Sequence, residues 1–100
     1  MSFFGGKIKD LRKEKGDPLR VVAYYLGIDQ AILSKIENGK RKASIEQVRK
    51  LSKYFNVPEK ELTVDWLSDK IIYEIEDEKF GKEALKLAEE RIHYKKKNDG

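Results

Sequence analysis

Little in these 100 residues could support covalent chemistry. The chain has no cysteine and one histidine, His93, and no nucleophile stands at a spacing that would place it beside a base. His93 reads as a late surface residue. The acidic run Glu74, Glu76, Asp77 and Glu78 lacks the alternating carboxylates around a glycine that a calcium loop requires, so it reads as a turn. Gly5-Gly6 has neither the preceding strand nor the remaining residues of a phosphate-binding loop, and reads as a loose helix start. Neither an enzyme, a metal site nor a cofactor is expected. What stands out instead is a polar set, Gln30, Ala31, Ser34, Lys35 and Asn38. Their spacing puts them on one side of a helix with no apolar reason to be buried. Such a rod suits polar recognition in a groove of the width of the DNA major groove.

The elements that would hold this set can be read around it. Residues 22–39 predict two short helices hinged at Leu26-Gly27-Ile28-Asp29. Val22, Ala23 and Leu26 face inward from the first helix, and Leu33 and Ile36 from the second. Gly27 offers a positive φ and room for a close backbone approach. Asp29 caps the second helix and Gly39 stops it. Upstream, Phe4, Ile8 and Leu11 predict a helix from about Phe4 or Gly6 to Lys15, ended by Gly16. Asp17 is expected as the next cap, with Pro18 at the first helical position. Tyr24 and Tyr25 are adjacent and read as rim residues. Downstream, Ser44 and Gln47 form a capping box for a helix over residues 45–55, whose inward stripe includes Ile45, Val48, Leu51, Ser52 and Phe55.

Together the spacing of Ala23, Gly27, Leu33 and Ile36 and the run LSKIENGKR over residues 33–41 resemble the helix-turn-helix of the Xre/Cro type, the phage repressor-like regulators. The resemblance covers roughly residues 4–62. It implies an all-α, five-helix lambda-repressor-like domain and a sequence-specific, double-stranded DNA-binding transcriptional regulator, such as a repressor. On that resemblance Gln30, Ala31, Ile32, Ser34 and Lys35 would face bases: glutamine pairs with adenine, lysine with guanine, and Ala31 or Ile32 with a thymine methyl. Arg20, Asn38, Lys40, Arg41 and Lys42 would hold phosphates. Arg12 would pair with Glu37 and tie the first helix to the third. The sequence departs from its relatives at Leu19, where many carry a phosphate-binding glutamine; Arg20 is the nearest substitute.

Charge agrees with this assignment. Residues 1–57 hold 13 Lys/Arg against 6 Asp/Glu, a balance of +7, and residues 58–100 hold 9 against 12, a balance of −3. The positive excess falls on the part that carries the turn motif, as a footprint on phosphates requires.

Beyond Leu62 the chain continues past the family's minimal domain. A fifth helix from Val57-Pro58 is expected to carry Val64, Trp66, Leu67, Ile71, Ile72 and Ile75, and a sixth, capped by Asp77, to run from about Glu78 to Lys95 with Phe80, Ala84, Leu87, Ala88, Arg91 and Ile92 on one side. The organisation read from sequence is therefore a helix-turn-helix domain over 1–62, a C-terminal helical hairpin over 63–95, and a disordered basic tail over 96–100. A hairpin alone leaves apolar surface uncovered. Packing back on the first domain is one solution. A second copy is the other, with Trp66, Leu67, Ile71, Ile75 and Leu87 in the seam, and it suits two recognition helices held about 34 Å apart on a palindromic operator. Restriction-modification controllers are similar in this respect. The alternative is an antitoxin or other partner-binding protein whose C-terminal helices cover a toxin, with autoregulatory DNA binding. Without cysteine, a signal peptide or a long apolar span, a cytoplasmic protein with no membrane association is expected.

Overall fold

The first helix, α1 (Phe3–Lys15), has its opening N–H groups satisfied from two directions. Ser2 accepts from the Gly5 N–H at 2.9 Å. The carboxylate of Asp69 accepts from the N–H groups of Phe3 at 3.1 Å and Phe4 at 2.9 Å, and from the Ser2 hydroxyl at 2.7 Å. An anion on these donors also complements the positive end of the helix. This remote cap places the helix start at Phe3, ahead of Phe4 or Gly6. Gly16, with φ of 80°, closes it.

The computed structural model describes residues 2–99, and within them six helices and no strand. α2 (Leu19–Leu26) begins at an extended Pro18 with no side-chain cap. Asp17 was expected to cap it, but its carboxylate accepts from the Tyr54 hydroxyl and lies 4.0 Å from Lys15 Nζ. The hinge into α3 (Gln30–Glu37) uses Gly27 at φ 70°, and Asp29 accepts the Ala31 N–H at 3.1 Å. A Cβ on Gly27 would meet nothing within 4 Å. Glycine is required there for its backbone conformation, not for the close approach anticipated from sequence.

α4 (Ile45–Phe55) carries the capping box: Gln47 N–H donates to Ser44 Oγ at 3.1 Å, and Ser44 N–H to Gln47 Oε1 at 2.9 Å. Asn56 ends it in the left-handed region. α5 runs over Glu59–Ile75 and α6 over Gly81–Asp99. Phe4, Ile8, Val22, Leu26, Leu33, Ile36, Val48, Leu51 and Leu62 are buried as one cluster, joined by the small Ala23 and Ala43.

Gly5 is not a loose start. A Cβ there would fall 2.3 Å from the carbonyl oxygen of Ile36 and 2.7 Å from that of Glu37, so α1 crosses the end of α3 at a distance only glycine permits. Farther along, α5 presents Glu61 and Asp65 to Lys7. The ammonium bonds Glu61 and lies 3.2 Å from Asp65, and the hydrogen bond to Glu61 raises its pKa.

Residues up to Asp69 form one compact unit and residues from Lys70 a second. The first therefore reaches beyond Leu62, because Trp66 packs on its core and Asp69 caps its first helix. In the second unit, α6 starts at Gly81, later than the expected Glu78, and Asp77 does not cap it. The intervening turn is closed by Glu78 N–H to Ile75 carbonyl at 3.0 Å and Gly81 N–H to Glu78 carbonyl at 3.1 Å. A Cβ on Gly81 would lie 2.4 Å from the Ile75 carbonyl oxygen. The stretch expected to be a disordered tail is helical through Asp99, with Asn98 donating to the Tyr94 carbonyl at 2.8 Å. Met1 and Gly100, the ends of the expected first domain and tail, lie outside the described residues. Of the described helices, none is long and apolar enough to cross a membrane.

Candidate nucleic-acid interface

α3 divides cleanly by burial. Leu33 and Ile36 are buried, whereas Gln30, Ala31 and Lys35 are exposed. Ile32 and Ser34 are half-buried, and Ile32 packs against the core, which leaves only part of its side chain available on the outer side. Asn38 is exposed, but its amide nitrogen turns back on the helix, donating to the Ser34 carbonyl at 2.9 Å. The same nitrogen also bonds the Ser34 hydroxyl oxygen at 3.4 Å, so a phosphate contact requires the amide to turn outward.

The end of α3 is fixed from beneath by Arg12 and Glu37. Arg12 Nε donates to Glu37 Oε2 at 2.8 Å and Nη2 to Oε1 at 3.0 Å, while Nη1 reaches the Asp17 carbonyl at 3.0 Å. The two side chains are 11% and 3% exposed, so this is a shielded bidentate pair, with a third guanidinium bond to the backbone, unlike a surface contact. The hydrogen bond to Glu37 is the main cause of the raised Arg12 pKa. Removing one partner from such a pair costs about 3–5 kcal/mol because the other charge stays buried. The pair joins α1, the segment before α2 and the end of α3.

Cations flank this helix. Gly39 takes φ 76°, and the Lys35 carbonyl accepts the N–H groups of Lys40 at 2.8 Å and Arg41 at 3.3 Å. Lys40, Arg41 and Lys42 follow as exposed residues, and Arg20 is exposed near the start of α2. Leu19 packs against the core and offers no polar group. Tyr24 is 88% exposed, while Tyr25 lies against Tyr54 with ring centroids 4.8 Å apart.

Sequence reasoning missed four residues that shape this surface. Ala43 is buried at the end of the basic loop. Trp66, assigned from sequence to a dimer seam, is half-buried against the domain core, and its Nε1–H donates to the Ala43 carbonyl at 2.8 Å. Gly5 and Asp69 set the position of α1. One signal was available: Glu61, Asp65 and Asp69 recur every four residues, a carboxylate stripe on one side of α5. Its partner, α1, was not evident from that spacing.

A polar, exposed second helix after a glycine hinge, bedded on a core and flanked by cations, defines a DNA-binding module of the helix-turn-helix class. The helix-turn-helix family matches residues 8–62, and the chain belongs to that family, in its Xre/Cro-type branch. It is similar to control protein C.MunI of a Mycoplasma species, at 40% identity over 63 residues, covering 62% of this chain and 85% of that protein. It is also similar to the uncharacterized HTH-type transcriptional regulator RghRB of Bacillus subtilis (strain 168), at 39% identity over 59 residues, or 58% of this chain. That alignment spans 42% of the Bacillus protein, less than half its length. No solved structure matches the chain. The protein is thus a DNA-binding transcriptional regulator.

Proposed function

We propose that the protein acts as a homodimer on a palindromic or near-palindromic operator. The observation that carries this reading is the outer side of α3, where Gln30, Ala31 and Lys35 are exposed while the helix is bedded through Leu33 and Ile36. Gln30 and Lys35 would read adenine and guanine edges, with Ala31, Ser34 and the accessible part of Ile32 lining the same groove. Arg20, Asn38, Lys40, Arg41 and Lys42 would position the domain on phosphates. A cytoplasmic location follows from that partner. Likeness to a control protein favours a controller role of the restriction-modification type.

Self-association would use apolar residues that the single chain leaves accessible: Leu67 in the first unit, and Ile71, Ile75 and Leu87 in the second. Leu67, Ile71 and Leu87 are each more than 40% exposed. Trp66 is omitted because its indole is engaged inside the first unit. The same accessible residues would also serve a toxin or other protein partner, and the mass of the purified protein in solution separates the two readings. Selection from a random duplex pool tests the main one. The expected product is two related half-sites about one helical turn apart; enrichment of no sequence, or of an isolated half-site, rejects it.

A further inference from the structure

The basic loop after α3 is held at both ends, and the second holding point lies on a distant helix. At its start the Lys35 carbonyl accepts the Lys40 and Arg41 N–H groups. At its end Ala43 is buried, 5% exposed, and its carbonyl accepts the Trp66 indole N–H at 2.8 Å across 23 residues of sequence. Between these anchors Lys40, Arg41 and Lys42 are exposed. Indole offers a single donor and no acceptor, so this bond fixes both the ring and the carbonyl.

From this geometry we infer that Trp66 is a positioning residue for DNA: it orders the basic loop before binding, so that Lys40 and Arg41 meet phosphates without first paying to order their backbone. The inference rests on the reading of Lys40 and Arg41 as phosphate ligands. Its physical basis is that a segment ordered only on association loses part of its interaction energy to that ordering, whereas one held beforehand keeps it. Trp66 touches no phosphate itself and acts through Ala43.

Trp66 is the sole tryptophan, so biosynthetic replacement by benzothienylalanine changes this position alone, keeping the ring outline and substituting sulfur for the N–H. Trp66→Phe is the encoded counterpart. The probe is a mixed-sequence 40-base-pair duplex titrated across a salt series. Both replacements should weaken binding roughly three- to ten-fold, the effect of one lost hydrogen bond, and speed amide exchange at Lys40 and Arg41 while α4 exchange stays unchanged. In a Lys40→Ala/Arg41→Ala background, the same replacements should cause no further loss of binding.

Unchanged affinity and loop exchange in the benzothienylalanine protein overturn the inference. So does an equal loss in the Lys40→Ala/Arg41→Ala background, which would mean that Trp66 acts on the domain at large. A natural protein that binds no duplex at all would instead reject the DNA-contact reading, and with it the positioning role. In that case loop exchange in the same samples still shows whether the indole tether holds the loop.

Discussion

At the scale of single residues, reading and anchoring are assigned to different side chains, and their losses should look different. Gln30→Ala and Lys35→Ala should each cost about 1–3 kcal/mol on the selected operator and little on random duplex, as expected for base-edge contacts. Lys40→Ala or Arg41→Ala should weaken both DNAs and reduce the salt slope by about one. Binding isotherms across a salt series separate the two classes, and equal weakening of both DNAs by Lys35→Ala would move Lys35 among the anchors. Tyr54 offers a test independent of DNA. Its hydroxyl donates to the Asp17 carboxylate, and that bond, reinforced by burial, pushes its pKa from 10.0 up to about 12. The folded state holds this proton more tightly than the unfolded one, so the associated stability is complete below pH 10 and is lost as pH rises from 10 to 12. Tyrosinate absorbance should show a step near pH 12, and Tyr54→Phe should abolish it.

At the scale of elements, the two neighbouring glycines of α1 make a controlled comparison. A methyl on Gly5 collides with the backbone at the end of α3, whereas a methyl on Gly6 meets nothing within 4 Å. Gly5→Ala should therefore destabilise by about 1–3 kcal/mol, the cost of forcing atoms into a packed contact. Gly6→Ala should be neutral or stabilise by up to about 1 kcal/mol, because alanine loses less backbone freedom in a helix. Urea unfolding of the two variants measures both. Similar values would mean that α1 does not depend on the close crossing. The Arg12–Glu37 pair and the Asp69 cap act on the same helix from other sides. Thus α1, which carries no proposed DNA contact, is the element that fixes the end of the helix that does.

At the scale of the whole molecule, the proposed reading of a palindrome calls for two copies. The second unit exposes Ile71, Tyr73, Phe80, Leu87, Ile92 and Tyr94, apolar side chains that a protein partner could cover. Sedimentation should find a dimer for the natural sequence and a monomer for Leu87→Glu or Ile71→Glu, while the thermal midpoint of the first unit stays unchanged. Operator affinity should then fall roughly 10²-fold or more, because the second half-site is no longer bound from the same molecule. A variant that stays dimeric would place the seam elsewhere, and a natural protein that is monomeric would favour a different protein as the partner.

The helices themselves, their caps at Asp29 and Ser44, the glycine hinge and the polar side of α3 were all legible in the sequence. Each is governed by residues no more than four positions apart, within reach of helical periodicity and capping chemistry. Charge placement added the basic flank. The tertiary structure alone decided that Gly5 is a contact, that Asp69 caps the first helix, that the Trp66 indole bonds the Ala43 carbonyl and that α6 begins at Gly81. The first three depend on where one helix crosses another. The late start of α6 depends on how a short turn closes after α5, which the periodicity of the flanking helices leaves open.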